Sequence, residues 1–187
     1  MPRALVFVLA LAASAASAQV PPERATTSPI RPDQVPTMVG PSDIAPPRPL
    51  SDAERAVSET VRGEGVHVVH LWAPWCGNST AAFETGWYEV VEAHPDVSFT
   101  FVTVRNDGDD GAETLRRYGI PETATVLAHP GGLGEDTTFL GRPVTWTPAT
   151  WVFNRGGQLA YAFNYGEVSA DMLGTAIEHA RAGWEHD

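Results

Sequence analysis

One stretch limits the possible folds of this chain more than any other: His67-Val68-Val69-His70-Leu71-Trp72-Ala73-Pro74-Trp75-Cys76-Gly77-Asn78-Ser79. Residues 66–73 are nearly all apolar and rich in β-branched side chains, as suits a central strand covered on both faces. The run enters a turn and then a helical pattern, which places the single cysteine of the 187 residues at a helix start. Unpaired backbone N–H groups and the positive end of the helix dipole favour thiolate there, lowering the thiol pKa and exposing a nucleophile.

The remaining elements are read around that strand. Ser51-Asp52-Ala53-Glu54 forms a capping box opening a helix over 52–62, with Ala56, Val57, Thr60 and Val61 at helical spacing and Gly63 as its end. Residues 76–94 carry the longest helical pattern, with Phe83, Trp87, Val90 and Val91 on one face, Gly86 weakening the middle and Pro95 forbidding continuation. A second strand over 97–104 leads to an Asp- and Gly-rich loop, a short helix over 112–118, a short strand over 123–127 and a loop-rich stretch to 143. Residues 146–153 and 158–164 read as two strands joined by the tight turn Asn154-Arg155-Gly156-Gly157. Ser169 then caps a last helix in which Met172, Leu173, Ala176, Ile177 and Ala180 share a face. This order packs most economically as an α/β fold, a central sheet with helices on both sides.

Residues 1–18 read as a secretory signal peptide: Arg3 supplies the charge, 4–13 the apolar run, and Ala16-Ser17-Ala18 the small-residue cleavage site before Gln19. The run is too short to span a bilayer, and no cysteine follows it for a lipid anchor. Residues 19–50 hold nine of the sixteen prolines and little apolar periodicity, the composition of a flexible, extended tether, which leaves 51–187 as one domain. The expected product is exported, secreted or periplasmic, and free of the membrane once the signal is removed. In such a compartment a lone cysteine cannot form an internal disulfide, so it points to intermolecular pairing or a free reactive thiol. With twelve arginines, no lysine, twenty-three acidic residues and a net charge of −11, no segment supplies the basic patch that nucleic acid or an anionic membrane demands.

Trp72-Ala73-Pro74-Trp75-Cys76-Gly77-Asn78-Ser79 resembles the active-site segment of thioredoxin-fold proteins, Trp-Ala-x-Trp-Cys-x-x-Cys, with Ser79 in place of the second cysteine. Together with the element order over 66–180, the chain is similar to the TlpA/ResA-like branch of exported thiol–disulfide oxidoreductases. That resemblance implies a thioredoxin-like central mixed sheet with helices on both faces and a helix–strand insertion, which 112–127 fits. It implies a cis bond at Thr147-Pro148, lying against the cysteine and offering backbone groups to an extended client chain, and it places Trp75 at the rim of the site. Read from the residues alone, Thr147-Pro148 equally fits an ordinary proline at a strand start. Relatives often carry a buried acid or asparagine six residues before the cysteine, where this chain has His70.

The candidate catalytic group is therefore Cys76, with His70 and Ser79 beside it and Trp75, Thr147 and Pro148 as candidate substrate contacts. Strand alternation puts His70 on one face with Val66, Val68 and Trp72, and His67 on the other with Val69 and Leu71, so the two histidines cannot both approach the sulfur. His70 is open to two readings, a base or cation acting on the thiol or a satisfied core histidine. Ser79, one helical turn on, can hydrogen-bond the sulfur but cannot resolve a disulfide. Two functions follow: monothiol thiol–disulfide exchange with disulfide- or thiol-bearing exported proteins or small thiols, or a non-catalytic thioredoxin-fold module that binds peptide or protein. A one-cysteine peroxidase would resemble peroxiredoxins only with a threonine where Ala73 stands, and a copper chaperone lacks a second cysteine or a Met-rich run. No cofactor and no metal is expected: Asp107, Asp109 and Asp110 lack the glutamate of an EF-hand loop, and His129 and His179 read as surface residues.

Overall fold

The computed structural model describes residues 48–164 and 168–184. The expected signal peptide over 1–18, and the expected tether apart from residues 48–50, lie outside the described residues. Strand β1 (Val66–Trp72) is buried along its whole length. It pairs in parallel with β2 (Val97–Thr103) on one side and antiparallel with β6 (Ala149–Phe153) on the other. With β3 (Thr125–Ala128) beside β2 and β7 (Leu159–Phe163) beside β6, the sheet is mixed and five-stranded, in the order β3-β2-β1-β6-β7.

Period-two alternation along β1 divides the core as the sequence implies. Val66, Val68 and Trp72 pack with residues of α2 (Gly77–Phe83), α3 (Trp87–Ala93) and α5 (Ala170–Arg181), whereas Val69 and Leu71 pack with Ala53 and Val57 of α1 (Asp52–Thr60). Helices thus cover both faces. The capping box at Ser51 and Glu54 and the Ser169 cap of α5 are formed as expected.

Four expectations need correction. The single helix expected over 76–94 is two: α2 ends at its cap Glu84, and Gly86, at φ 102°, restarts the chain as α3. A left-handed residue cannot continue a right-handed helix, and the break turns Trp87, 2 % exposed, into the core. Met172, expected on the inner face of the last helix, stands exposed, since only Leu173, Ala176, Ile177 and Ala180 turn inward. The stretch up to 143 is not merely loop: β4 (Thr138–Phe139) and β5 (Arg142–Pro143) form a small hairpin that drives Phe139 into the α1-side core. His129, expected at the surface, is buried, with Nδ1 3.0 Å from Ser51 Oγ.

One glycine is required by packing. Gly111, at φ 67°, opens α4 (Ala112–Arg117) against the indole of Trp72, where a Cβ would lie 2.7 Å from Cζ2. This close approach seats the start of the short helix against Trp72, the last residue of β1.

Candidate active site

The apolar strand ends at Trp72, and the turn Ala73-Pro74-Trp75 delivers Cys76 as the N-cap of α2, with Cys76 N–H donating to Ala73 O at 3.1 Å. The side chain is partly buried rather than sealed off. Across from it, the Thr147–Pro148 peptide bond is cis, and the thiol donates to the Thr147 carbonyl over 3.4 Å. Ser79 is fully buried one turn into the helix, and its Oγ accepts the Ala73 N–H at 3.2 Å, closing the cysteine turn onto the helix.

Burial of the sulfur pushes its pKa up. Against this act the Thr147 side chain, the Ser79 backbone and hydroxyl, and the Asn78 N–H, and the balance lies below an ordinary thiol. The sulfur does not close a formed capping hydrogen bond on the first turn. The Ser79 and Asn78 N–H groups nevertheless face it closely enough to stabilise negative charge, as orphan donors at a helix start do. The bond to the Thr147 carbonyl works the other way, because only the protonated thiol can donate it. Every group named here is uncharged, so ionisation rests on local dipoles rather than on an ion pair.

His70 is enclosed by aromatic rings. Its ring is boxed by Trp87 at 4.4 Å, Phe83 at 5.5 Å and Phe101 at 5.7 Å between centroids, and Nδ1 sits 2.9 Å from Thr150 Oγ1. Nε2 is buried without a partner, so neither ring nitrogen hydrogen-bonds the sulfur. Burial pushes the imidazole down to about 3, which favours the neutral ring near pH 7. Of its two readings, the geometry matches the core histidine. The rate of Cys76 alkylation should therefore follow a single titration, with no second inflection between about pH 5 and 8 of the kind a coupled histidine produces. An inflection near the ordinary histidine pKa that disappears in His70→Phe would contradict this placement.

Trp75 is 48 % exposed beside the thiol, and its Nε1 donates to the Arg105 carbonyl at 2.9 Å. Sequence reasoning misses Arg105. Its guanidinium donates to Val144 O at 2.6 Å and Glu135 O at 3.1 Å, and reaches Thr145 O at 3.5 Å. An arginine closing a strand at the start of a loop otherwise rich in aspartate is the available signal. The structure thus brings together Cys76, Ser79, Trp75, Thr147 and Pro148, and gives His70 no hydrogen bond to the sulfur. Among the described residues no group of three His, Cys, Asp or Glu side chains is placed to hold a metal ion, and no helix is long and apolar enough to cross a membrane.

No protein-family model and no curated protein matches the sequence. Solved structures do match. A thiol:disulfide interchange protein of the thioredoxin family from Chlorobium tepidum aligns at TM-score 0.51 and 16 % identity, over 66 % of this chain and 83 % of its own. A DsbF homologue from Corynebacterium diphtheriae aligns at TM-score 0.50 and 20 % identity, over 64 % and 74 %. A secreted thiol-disulfide isomerase from Corynebacterium glutamicum aligns at TM-score 0.50 and 18 % identity, over 63 % and 72 %. The fold is thioredoxin-like.

Proposed function

We propose that this protein is an exported monothiol thiol–disulfide exchange protein acting through Cys76. The observation that carries the reading is the half-buried sulfur at a helix start, ringed by neutral donors that favour its thiolate, with the Thr147 carbonyl opposite. An interchange protein and an isomerase stand among the proteins that share the fold, in keeping with this class of chemistry.

In the first step the Cys76 thiolate attacks one sulfur of a client disulfide. A Cys76–client S–S bond forms, the client S–S bond breaks, and the electron pair leaves on the second client sulfur as thiolate. In the second step a thiolate from the client, a small thiol or a partner protein attacks the client sulfur of that mixed disulfide and returns Cys76 as thiolate. No electrons accumulate on the protein, so the work suits disulfide isomerisation or removal of a small-thiol adduct rather than net reduction. Trp75 and the Thr147-Pro148 turn would receive the client as a short extended segment, its backbone pairing with that of Thr147. Residues 1–18 would direct export and 19–50 would tether the domain.

Incubation with oxidised glutathione followed by whole-protein mass analysis tests the reading. One glutathionyl group per chain is expected, absent in Cys76→Ala and removed by added thiol. A thiol with an ordinary pKa and no adduct would leave a peptide- or protein-binding module in its place.

A further inference from the structure

Two separate turns build the thiol site: one carries Trp75 and Cys76, the other carries Thr147 and Pro148. Neither is a regular element, and the hydrogen bond between them, from Sγ to the Thr147 carbonyl, is weak at 3.4 Å. The β1–β6 ladder, with Leu71 opposite Ala149, fixes the strand ends from which both turns leave but not the turns themselves. Arg105 touches both sides. Through its carbonyl it accepts the Trp75 Nε1–H at 2.9 Å, and through its guanidinium it grips the carbonyls of Val144, Glu135 and Thr145 on the strand-poor segment that leads into Thr147. Its backbone sits at φ 56°, a region that a residue with a Cβ occupies only where its surroundings hold it.

We infer that Arg105 is a positioning residue for the thiol chemistry, a bracket that keeps the cysteine turn and the Thr147-Pro148 turn in register. The residue type fits that role. A guanidinium offers five N–H donors in a rigid planar fork and can hold several carbonyls at once, whereas a lysine ammonium on a flexible stem reaches fewer of them with less direction. All its acceptors are neutral oxygens, so the bracket does not depend on an acidic partner. Its action on the sulfur is geometric: the groups that bear on Cys76 ionisation are Thr147, Ser79 and Asn78, none of them charged.

Removing the bracket frees the turn and withdraws both the Thr147 side chain, the largest of the contacts favouring thiolate, and the Thr147 carbonyl, which favours thiol through a weak S–H donor; the side chain sets the sign. The inference rests on Cys76 being the working nucleophile. Its test reads the thiol itself, by the pH dependence of iodoacetamide alkylation in the full chain, and so gives an answer whether or not any disulfide is exchanged. Arg105→Met is expected to raise the apparent thiol pKa by about one pH unit, a roughly tenfold loss of thiolate at a fixed pH below the midpoint. Thr147→Val should raise it as well, and adding Arg105→Met to that variant should then raise it no further, because the side-chain contact that both disturb is already gone. A merely structural arginine would lower the melting temperature and leave the midpoint where it was. Unchanged midpoints in folded Arg105→Met, or shifts that add in the double variant, would overturn the inference. If Arg105→Met does not fold, Arg105→Lys decides: a smaller upward shift supports the bracket, and none overturns it.

Discussion

In a Ser79→Cys variant, a mixed disulfide formed at Cys76 is expected to collapse without added thiol at least about 100-fold faster than in the unmodified protein, because attack becomes intramolecular. Position 79 lies one turn from Cys76 on the same helix and its hydroxyl already bears on the sulfur. Side chains three residues apart on a helix have Cβ atoms about 5–6 Å apart, near enough for a disulfide after modest local adjustment. The introduced thiolate would attack Sγ of Cys76, form an S–S bond within the chain between positions 76 and 79, and expel the client as thiolate. The cost is the bond that Ser79 Oγ accepts from the Ala73 N–H, about 1 kcal/mol when a sulfur replaces the oxygen. The lifetime of a purified glutathionyl adduct, followed by mass analysis in thiol-free buffer, checks the expectation. An adduct equally long-lived in both proteins would mean that position 79 does not face the sulfur as described.

The largest expected effect on stability lies away from the thiol, at Glu54. This carboxylate is fully buried, yet it accepts both Arg48 terminal nitrogens at 2.7 Å, the Ser51 N–H at 2.8 Å and the Leu140 N–H at 2.7 Å. Burial pushes its pKa up, but the Arg48 bond and the Ser51 and Leu140 N–H groups outweigh that and bring it from 4.5 down to about 2. Glu54→Ala strands those donors and unpins the β4–β5 hairpin. It should lower unfolding free energy by about 3 kcal/mol, the lower end of the range for breaking a buried pair, because the Arg48 side chain is 44 % exposed and can turn to water. Urea titration of the two proteins at pH 7 measures it. A loss under about 1 kcal/mol would show that water satisfies the site.

The same carboxylate sets an acid limit whose sign is fixed. Its folded pKa lies below its unfolded one, so its contribution is complete above 4.5 and drains away as pH falls toward 2. His70 acts earlier. Its folded pKa is also depressed, from 6.5 to about 3, so the unfolded chain takes up a proton first and stability declines as pH drops below 6.5. Burial holds His67 and His129 below their ordinary value too, and they add to that first decline. Unfolding curves collected down the pH scale should therefore lose stability in two stages, with His70→Phe shrinking the first and Glu54→Ala the second.

Much of this was legible in the sequence for physical reasons. An apolar run with hardly a polar interruption suits a strand covered on both faces, so β1 and the division of the core followed from residues 66–73 alone. The lone thiol at a helix start was legible because strand, turn and helix are local in the chain. What was not legible depended on partners far apart in sequence. Phe139 reads as an aromatic in a loop until α1 gives it a core to enter, and His129 reads as surface until Ser51, 78 residues away, meets its ring. Glu54 showed only its capping-box role, since nothing local announced Arg48 or Leu140 as partners. Gly86 read only as a weak point within one helical pattern, and its left-handed backbone is what makes it the break between α2 and α3.

The hydroxyl at position 79 carries a consequence for equilibrium as well as for rate. A dithiol protein owns a midpoint potential, because its two covalent forms interconvert within one molecule. This domain has no second form to convert into. The fraction of Cys76 held in adduct at any moment would then mirror the ratio of thiol to disulfide in the surrounding fluid, making the molecule a reporter of its milieu instead of a reservoir of oxidising power.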